Sequence, residues 1–421
     1  MGQLSPGRGA AASEGTRGDA ARAPRRLGQY LRQLREGYGY TLRKVEERAL
    51  AMGESIDNSQ LSRFEKGKAV PSFDKLRALA KVFNVSVQNF SDVLDLEEFA
   101  EFKPKGNDYD SLIDQGNDLI KRGEHGVAFM YYERALEVAM ASPQREHATE
   151  QVADARWRMA ASLRSLGKLS MTEAELRSIF KEGELLDPRT RLRCLHDLCD
   201  VYRQFGDFYL ASVICKEALA LAEGSGDPFA EARVLNILGS TYHDEGLRGQ
   251  NQQLLDQALD CFSRAHKILE EISGAEKFQI SVLINLGGCL ATSGKADEGI
   301  ARLRQAATAA RTRGYRRAAS LAMNRLGEAY FIKRDFERAR TSLSEADTLA
   351  SRSGESYYDI LFCNEYLRWR MARDEESGVR EKIAFGRLRH LRSMLERKFP
   401  EVIEFDEYVE SVRRKHVGTS L

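Results

Sequence analysis

The chain of 421 residues carries 64 lysines and arginines against 63 aspartates and glutamates, which gives a formal net charge of +1. A chain of this length is expected to form two or more domains with sizeable cores. No stretch approaches the roughly eighteen apolar residues of a membrane-spanning helix, and no signal peptide is predicted. The six cysteines show no Cys-x-x-Cys pairing, so we expect core thiols in a reducing compartment.

The charge is unevenly distributed along the chain. Residues 1–24 are rich in Gly, Ala, Ser and Arg and are predicted to be a disordered tail. The segment 25–90 then holds thirteen basic and seven acidic residues, whereas 91–110 holds two basic and seven acidic ones. A small basic segment on a near-neutral remainder favours phosphate contact through one end of the protein, although a solvated basic surface is the alternative.

Two short helices are predicted directly after the tail. Leu27, Leu31 and Leu34 share one face of the first helix, which ends at Gly37 and Gly39. Thr41 can cap a second helix that runs through Ala49. The apolar faces of these helices predict that they pack together in one small domain.

The stretch 56–72 predicts a short helix with a polar outer face. Asp57 is a good N-cap, Leu61 and Phe64 form an apolar stripe, and Gly67 can take the left-handed conformation that ends a helix. We expect about three turns. The remaining side chains are amides, hydroxyls and one guanidinium, which are groups that can read base edges in a DNA major groove.

The run Leu-Ser-Arg-Phe-Glu-Lys-Gly-Lys-x-x-Pro-Ser over 61–72, with the Leu-x-x-Leu-Ala-Lys-x-Phe-x-Val-Ser that follows it, resembles the Xre/Cro-type helix-turn-helix repressor domain. The resemblance implies a lambda-repressor-like DNA-binding domain over residues 25–94. It also implies that Glu65 pairs with Arg35 inside the domain. The residues expected to contact DNA are Thr41, Arg43, Asn58, Ser59, Gln60, Ser62, Arg63, Lys66 and Lys68.

The sequence departs from this family pattern at two places. The family packs a small residue where its second and third helices cross, and Glu46 stands there in this chain. The connection Leu50–Ser55 is also longer than the tight glycine-containing turn of the family. We therefore expect either a longer second helix or an adjusted angle, and the choice of bases stays open.

After an acidic linker predicted at 95–108, the chain becomes helical and repetitive. A small residue is followed, at about sixteen positions, by an aromatic residue, leucine or cysteine, in six copies that begin at Gly116, Ala160, Cys199, Gly239, Gly287 and Gly327. Small residues let two antiparallel helices approach closely, and each pair buries its open face on the next. The pattern resembles the tetratricopeptide repeat and implies a solenoid over 109–398. We expect an insertion in the fourth unit at 246–256, a final degenerate pair, and a capping helix at 403–414 within a C-terminal segment, 399–421. The predicted fold class is all-α.

The tetratricopeptide resemblance also identifies the side chains that face the concave side of the solenoid. Asparagines there can hold the main chain of an extended peptide, arginines can bind a carboxylate, and Trp157 can serve as an apolar anchor. A groove face that contacts only water is the alternative. The residues carried over as a ligand or peptide groove are Asn117, Trp157, Arg193, His196, Arg233, Asn236, Asn285, Asn324 and Arg325.

No catalytic or metal-binding motif emerges from the sequence. The seven histidines are scattered, and the chain has neither a phosphate-binding glycine loop nor a Gly-x-Ser-x-Gly nucleophile motif. We therefore expect no enzymatic activity, no metal and no cofactor.

The combined resemblance is to bacterial regulators in which an Xre-type domain precedes a repeat solenoid that senses a short peptide. It implies a cytoplasmic, nucleoid-associated transcriptional regulator that binds double-stranded DNA as a homodimer and a peptide or protein in its groove, with no membrane partner. The alternative is an adaptor whose solenoid docks a protein partner, while its helix-turn-helix only tethers it to DNA or serves assembly.

Overall fold

The computed structural model describes residues 25–142, 145–180, 186–351, 356–395 and 399–418. The predicted disordered tail at 1–24 lies outside the described residues. In these ranges the protein is all-α, without a strand. The chain divides into two compact units whose boundary falls between Lys103 and Pro104.

From residue 25 onward, the N-terminal unit contains five α-helices and one 3-10 turn. The turn, Leu96–Phe99, follows the last helix directly. The helices are α1 (Arg25–Gly37), α2 (Leu42–Ala51), α3 (Asn58–Glu65), α4 (Phe73–Val82) and α5 (Val87–Asp95).

The predicted caps of α2 and α3 are confirmed. The Thr41 hydroxyl accepts a hydrogen bond from the backbone N–H of Lys44, and the Asp57 carboxylate accepts one from that of Gln60. The helix α3 is shorter than predicted, because its eight residues make about two turns rather than three. Gly67 takes the left-handed conformation, with φ +59°, and stops the helix there.

The core of the N-terminal unit reaches into the segment predicted as a linker. Leu27, Leu31 and Leu61 are fully buried, and Leu96 is only 1% exposed. The backbone N–H of Arg26 also donates to the carboxylate of Glu97. The beginning of the predicted linker is therefore part of the folded unit.

The C-terminal unit is a solenoid of helical pairs, as predicted. The first four pairs are α6 (Tyr109–Lys121) with α7 (His125–Met140), α8 (Arg145–Ser165) with α9 (Leu169–Phe180), α10 (Pro188–Phe205) with α11 (Phe208–Ser225), and α12 (Pro228–Gly249) with α13 (Gln252–Glu270). The next three are α14 (Glu276–Thr292) with α15 (Ala296–Thr312), α16 (Arg316–Ile332) with α17 (Phe336–Ala350), and α18 (Tyr358–Asp374) with α19 (Gly378–Ser393).

Close approach inside a pair depends on the small residues of the repeat. A Cβ atom added to Gly287 would lie 2.7 Å from Cγ of Leu303, the large residue sixteen positions later. Leu303 itself is fully buried. The predicted division of labour, in which a small residue admits the partner helix and a large one fills the remaining gap, is confirmed at this pair.

The insertion in the fourth pair lengthens its helices and does not form a loop. The helix α12 has 22 residues and α13 has 19, and only the short turn at 250–251 separates them. Leu255 packs against Gly246 across this turn. The fourth pair is therefore longer than its neighbours α14 and α15, which have 17 residues each.

The turns inside the seven pairs share one backbone feature. Each contains a residue in the left-handed region, with φ between 48° and 86°. Glycine fills this position in four turns, and a residue with a side chain fills it in three. In chain order the residues are Gly123, Gly167, Gly206, Gln250, Gly294, Arg334 and Glu376.

The last helix, α20 (Pro400–Gly418), closes the end of the solenoid and begins three residues before the predicted start. Val402 and Phe405 are buried against Phe362 and Leu388 of the last pair. The Arg392 guanidinium donates to the carboxylate of Asp406, at 3.0 to 3.2 Å. The helix therefore covers an apolar face that another repeat would otherwise have to cover, as predicted for a capping element.

The cysteines are free thiols in the solenoid. All are buried except Cys363, which is half-buried. Burial raises the pKa of Cys194 and of Cys261 to about 12. Cys194 and Cys261 are therefore protonated at neutral pH. The buried cysteines are core thiols, as predicted.

None of the described helices combines the length and the apolar character that crossing a bilayer requires.

Candidate DNA-reading helix and concave groove

The helix α3 separates an apolar inner face from a polar outer face. Leu61 and Phe64 point into the core of the unit, while Asn58, Ser59 and Arg63 are exposed. The structure places the other residues predicted to contact DNA at exposed or half-exposed positions of α2, α3 and the turn after α3; they are Thr41, Arg43, Gln60, Ser62, Lys66 and Lys68.

An ion pair between α1 and α3 holds the end of the reading helix. Arg35 Nε donates to Glu65 Oε1 at 2.6 Å, and Arg35 Nη2 donates to Glu65 Oε2 at 2.9 Å. Arg35 Nη1 also donates to the Tyr40 carbonyl at 3.0 Å. The hydrogen bonds that Arg35 donates to Glu65 raise the pKa of Arg35. This two-bonded pair is the one expected from sequence, and it fixes α3 in orientation as well as in position.

Gly28 is a positioning residue that sequence reasoning missed. It lies two turns before Arg35 on the same face of α1, where that face meets α3. A Cβ atom at Gly28 would lie 2.6 Å from the Phe64 carbonyl oxygen and 2.7 Å from that of Glu65. A glycine on the apolar face of an amphipathic helix, seven residues before the predicted ion-pair arginine, was the available signal.

The cationic side chains at the end of α3 are not neutralised within the unit. Arg63, Lys66 and Lys68 are exposed and make no side-chain ion pair with any residue that the structure describes. The Asp57 carboxylate accepts from the Ser59 hydroxyl at 2.6 Å, and this bond lowers the pKa of Asp57. Positive charge is thus presented beside neutral hydrogen-bonding groups, an arrangement suited to a polyanion with polar base edges.

The two departures from the family pattern, Glu46 and the long connection between the second and third helices, are accommodated by α2 and by the turn after it. Val45 and Ala49 supply the buried face of α2, and Glu46 is only half-buried. The helix ends at Ala51, two residues beyond the predicted end, and a six-residue connection leads to α3. Lys81 of α4 donates to Glu54 at 2.6 Å and anchors this connection.

The centre of the solenoid contains a polar cavity of about 580 Å³. It is formed mainly by the first helices of the third to sixth pairs. Five of the nine predicted groove residues line it: His196, Arg233, Asn236, Asn285 and Arg325.

Asn236 and Asn285 meet across successive pairs in this cavity. Asn285 Nδ2 donates to Asn236 Oδ1 at 2.9 Å. No other group in the described part of the chain bonds the amide nitrogen of Asn236 or the amide oxygen of Asn285, so both remain for a further partner. A peptide unit offers one donor and one acceptor, so the pair can bind a main chain that runs along the groove.

The N-terminal end of the solenoid has a second cavity, of about 680 Å³, which Asn117 and Trp157 line. The Asn117 side-chain oxygen accepts from the Tyr132 hydroxyl at 3.0 Å and from Arg158 Nη1 at 2.7 Å. Arg193 stacks on the Trp157 ring, 3.8 Å from its centroid. Trp157 is therefore a platform already covered by a guanidinium, rather than the open apolar anchor that was predicted.

Asn324 does not belong to the groove, and this prediction was wrong. Its side chain is 3% exposed, and its amide nitrogen donates to Asn364 Oδ1 at 2.7 Å. Asn364 in turn donates to Asp347. The residue is a buried polar link between the sixth and seventh pairs, since an amide at this depth requires partners inside the protein.

No group of His, Cys, Asp and Glu side chains in the described part of the chain is arranged to hold a metal ion.

The geometry defines the class of protein as a helix-turn-helix domain followed by a tetratricopeptide-like solenoid. Residues 31–90 match the family model described as helix-turn-helix. No curated protein matches the chain.

Solved structures resemble the chain over most of its length. Aspartyl phosphate phosphatase F from Bacillus subtilis is 15% identical, with 93% of this chain and 98% of that chain covered and a TM-score of 0.51. A Rap protein complexed with Competence and Sporulation Factor is 16% identical, covering 87% and 98%, with a TM-score of 0.49. Bacillus thuringiensis PlcR, in complex with the peptide PapR7 and DNA, is 18% identical, covering 81% and 97%, with a TM-score of 0.31. At 15% identity the likeness to the phosphatase is one of fold alone.

Proposed function

We propose that this protein is a sequence-specific DNA-binding transcriptional regulator whose solenoid binds a peptide. The observation that carries the proposal is the outward face of α3, which is exposed and polar, while an ion pair holds α3 to α1. Beside this face lie the cations Arg63, Lys66 and Lys68, which have no ion-pair partner among the described residues. Amides and hydroxyls can read base edges, and the cations can neutralise phosphates. Catalysis has no part in this proposal.

The DNA half of the proposal predicts a specific role for Arg63. The full-length protein is first used to select a preferred duplex from a random DNA pool. Arg63→Ala should then lose on the order of 1–3 kcal/mol at that duplex, because an arginine bound to a base edge discriminates by this amount. The measurement is a fluorescence anisotropy titration at several salt concentrations, since phosphate contact makes affinity fall steeply with salt.

Arg77→Ala is the matched control, because Arg77 is an exposed arginine on α4 outside the predicted reading face. It should bind the selected duplex like the wild type. If Arg63→Ala discriminates between selected and random duplexes as well as the wild type does, Arg63 is not a base reader.

The peptide half of the proposal is supported by the Asn236–Asn285 pair in the central cavity. Changing both residues to Ala should abolish the effect of bound peptide on DNA affinity and leave basal DNA affinity unchanged, since neither residue is near α3 in the chain. The effect of peptide is expected to be worth about 1–3 kcal/mol, a usual coupling energy between two sites.

The test titrates the selected duplex with and without peptide fractions from cell extract, using the wild type, the double Ala variant and the control Gln305→Ala. Gln305 is an exposed amide on α15. A partner that binds the solenoid while DNA affinity stays constant would favour the adaptor function instead. No response of the wild type to any fraction would remove sensing from the proposal.

The proposal includes a homodimer in the cytoplasm, bound to the nucleoid. Helix-turn-helix proteins usually bind two half-sites about one helical turn apart, which requires two reading helices. One chain supplies one such helix, α3. A second copy is therefore the expected source of the other.

A further inference from the structure

Three arginines line the central cavity, and two of them already have carboxylate partners. Arg203 donates to Asp200 at 2.8 Å and to Asp244 at 2.6 Å. Arg325 donates to Glu328 at 2.7 Å. Arg233 differs from both, because it makes no ion pair with a residue in the described part of the chain. Its Nη2 lies 3.4 Å from His196 Nδ1, but that nitrogen carries the proton that it donates to Asp197 and therefore cannot accept from Arg233.

The carboxylates whose charges act on Arg233 are committed elsewhere. Asp197 accepts from Trp157 Nε1 at 2.7 Å, from Arg164 Nη1 at 2.9 Å and from the His196 ring at 3.1 Å. Asp227 is the N-cap of α12 and accepts from two backbone N–H groups at 3.0 and 3.1 Å. Neither carboxylate forms an ion pair with the Arg233 guanidinium.

The surroundings of Arg233 concentrate positive charge. It lines a third cavity, of about 340 Å³, next to the central one, together with Arg189, Arg193 and His196; Asp227, the N-cap of α12, is the one carboxylate that the described residues contribute to this lining. Burial lowers the pKa of Arg233, the charge of Asp197 opposes this shift, and the charges of Arg164 and Arg193 reinforce it. A half-buried guanidinium among other cations is unfavourable unless an anion arrives to pair with it.

We propose that Arg233 is the anchor for a carboxylate group of the peptide ligand. This inference rests on the peptide binding proposed above and adds the chemistry of one subsite. The guanidinium offers a planar fork of donors that matches a carboxylate with two parallel hydrogen bonds. Leu192, Phe229 and Val234 line the same cavity. An apolar side chain can therefore pack beside the bound carboxylate.

Two parts of a peptide can supply this group, namely its C-terminal carboxylate or an Asp or Glu side chain. The experiment distinguishes them with four pools of random octapeptides built from otherwise neutral residues. One pool is amidated and neutral, one has a free C-terminal carboxylate, one is amidated with a single Glu, and one is amidated with a single Lys. Each pool is passed over the immobilised full-length protein, and retained peptides are quantified by mass spectrometry.

The wild type should retain at least one carboxylate-bearing pool about tenfold more than the neutral amidated pool, a difference that corresponds to 1.4 kcal/mol. The pool that is enriched identifies the source of the carboxylate. Arg233→Gln should remove the preference, and Arg233→Glu should transfer it to the lysine pool. Arg302→Gln is the control, because Arg302 is an exposed arginine on α15, and it should leave the preference unchanged.

Equal retention of the neutral and carboxylate pools by the wild type overturns the inference while peptide binding stands. Retention of the preference by Arg233→Gln overturns it too. Failure of all four pools to bind the wild type removes the proposed peptide binding itself, and this subsite with it. Thermal melting of each variant establishes that it is folded, and the gain of lysine binding by Arg233→Glu cannot arise from misfolding.

Discussion

Asp197 is buried in the concave face, where its side chain is 6% exposed and accepts three hydrogen bonds. Trp157 and Arg164 on α8 and His196 on α10 supply the donors. Burial alone would raise the pKa of Asp197, but the hydrogen bond from His196 and the charge of Arg164 outweigh it and hold the pKa well below its usual range. The ionised carboxylate therefore joins two helical pairs.

This network predicts a pH-dependent contribution to stability. The folded-state pKa of Asp197 lies below the unfolded value of about 3.9, so its contribution is present above about pH 4 and is lost as the pH falls toward the folded value. Asp197→Asn should destabilise the solenoid by on the order of 3 kcal/mol at pH 7. The difference from the wild type should shrink below pH 4.

The measurement is thermal melting from pH 2 to pH 8, with Asp260→Asn as the control, because Asp260 is exposed on α13. A destabilisation by Asp197→Asn that stays constant across this range would mean that the charge of Asp197 is not what joins the two pairs.

At the scale of single residues, the sequence predicted which side chains face inward but not their partners. Arg193 and Arg233 were both predicted to lie in the groove. Arg193 is paired with Asp154, 39 residues earlier in the chain, whereas Arg233 has no ion-pair partner among the described residues. Asn324 does not face the groove because its amide donates a hydrogen bond to Asn364, 40 residues later. Helical periodicity fixes a side-chain direction, whereas these partners depend on how successive pairs stack.

At the scale of elements, α1 acts as the support of the reading helix. Gly28 lets the two backbones approach, and seven residues later the Arg35 guanidinium binds Glu65. Both contacts fall at the C-terminal end of α3. The direction in which α3 presents its outer face is therefore set by α1 and not by α3 alone.

Gly28→Ala should consequently weaken DNA binding, although residue 28 is not one of the residues predicted to contact DNA. The new Cβ atom would meet backbone carbonyls at 2.6 and 2.7 Å, which cannot rotate away as a side chain can, so α3 must shift. We expect a loss of about 1–3 kcal/mol in stability of the N-terminal unit, as for other overpacked sites. The affinity for the selected duplex should fall with it, and melting and anisotropy titrations measure the two effects.

Gly37→Ala is the matched control, because it lies in the same helix and its Cβ atom would meet nothing within 4 Å. This variant should be as stable as the wild type or slightly more so, since alanine favours the helix. Identical behaviour of the two alanine variants would show that the crossing at Gly28 tolerates a side chain.

The helices themselves were largely predictable, because local chemistry defines them. Thr41 and Asp57 are capping residues, and Gly67 ends α3 through a conformation that favours glycine. The boundary of the N-terminal unit was less accessible to sequence reasoning. Leu96 lies within an acidic run that is typical of a linker, and its burial follows from packing against the rest of the unit.

At the scale of the whole molecule, the end of the solenoid has two neighbouring helices of opposite charge. The helix α19 exposes Lys382 and Arg389, and α20 exposes Glu404 and Glu407. Exposed apolar side chains accompany them, with Ile383 53% exposed on α19. A two-fold axis that passes between α19 and α20 would place α19 of one copy against α20 of the other. Basic and acidic side chains would then face each other, so this surface is complementary to itself.

This complementarity predicts a dimer that charge reversal disrupts and mixing restores. The variant Glu404→Lys/Glu407→Lys should be monomeric, and so should Lys382→Glu/Arg389→Glu, because each places like charges across the axis. An equimolar mixture of the two variants should form dimers again, since both contacts then join opposite charges. Light scattering at micromolar concentration measures the mass. A monomeric wild type, with and without DNA, contradicts the prediction.

The turns inside the helical pairs reveal which part of each repeat determines its shape. Gln250, Arg334 and Glu376 occupy the left-handed conformation that glycine occupies in the other four turns. A residue with a side chain pays on the order of 1 kcal/mol for that conformation. The packing of the two helices imposes the left-handed conformation even there, so the helices determine the backbone of the turn. Substitution of any one of these three residues by glycine should therefore stabilise the solenoid without altering its architecture.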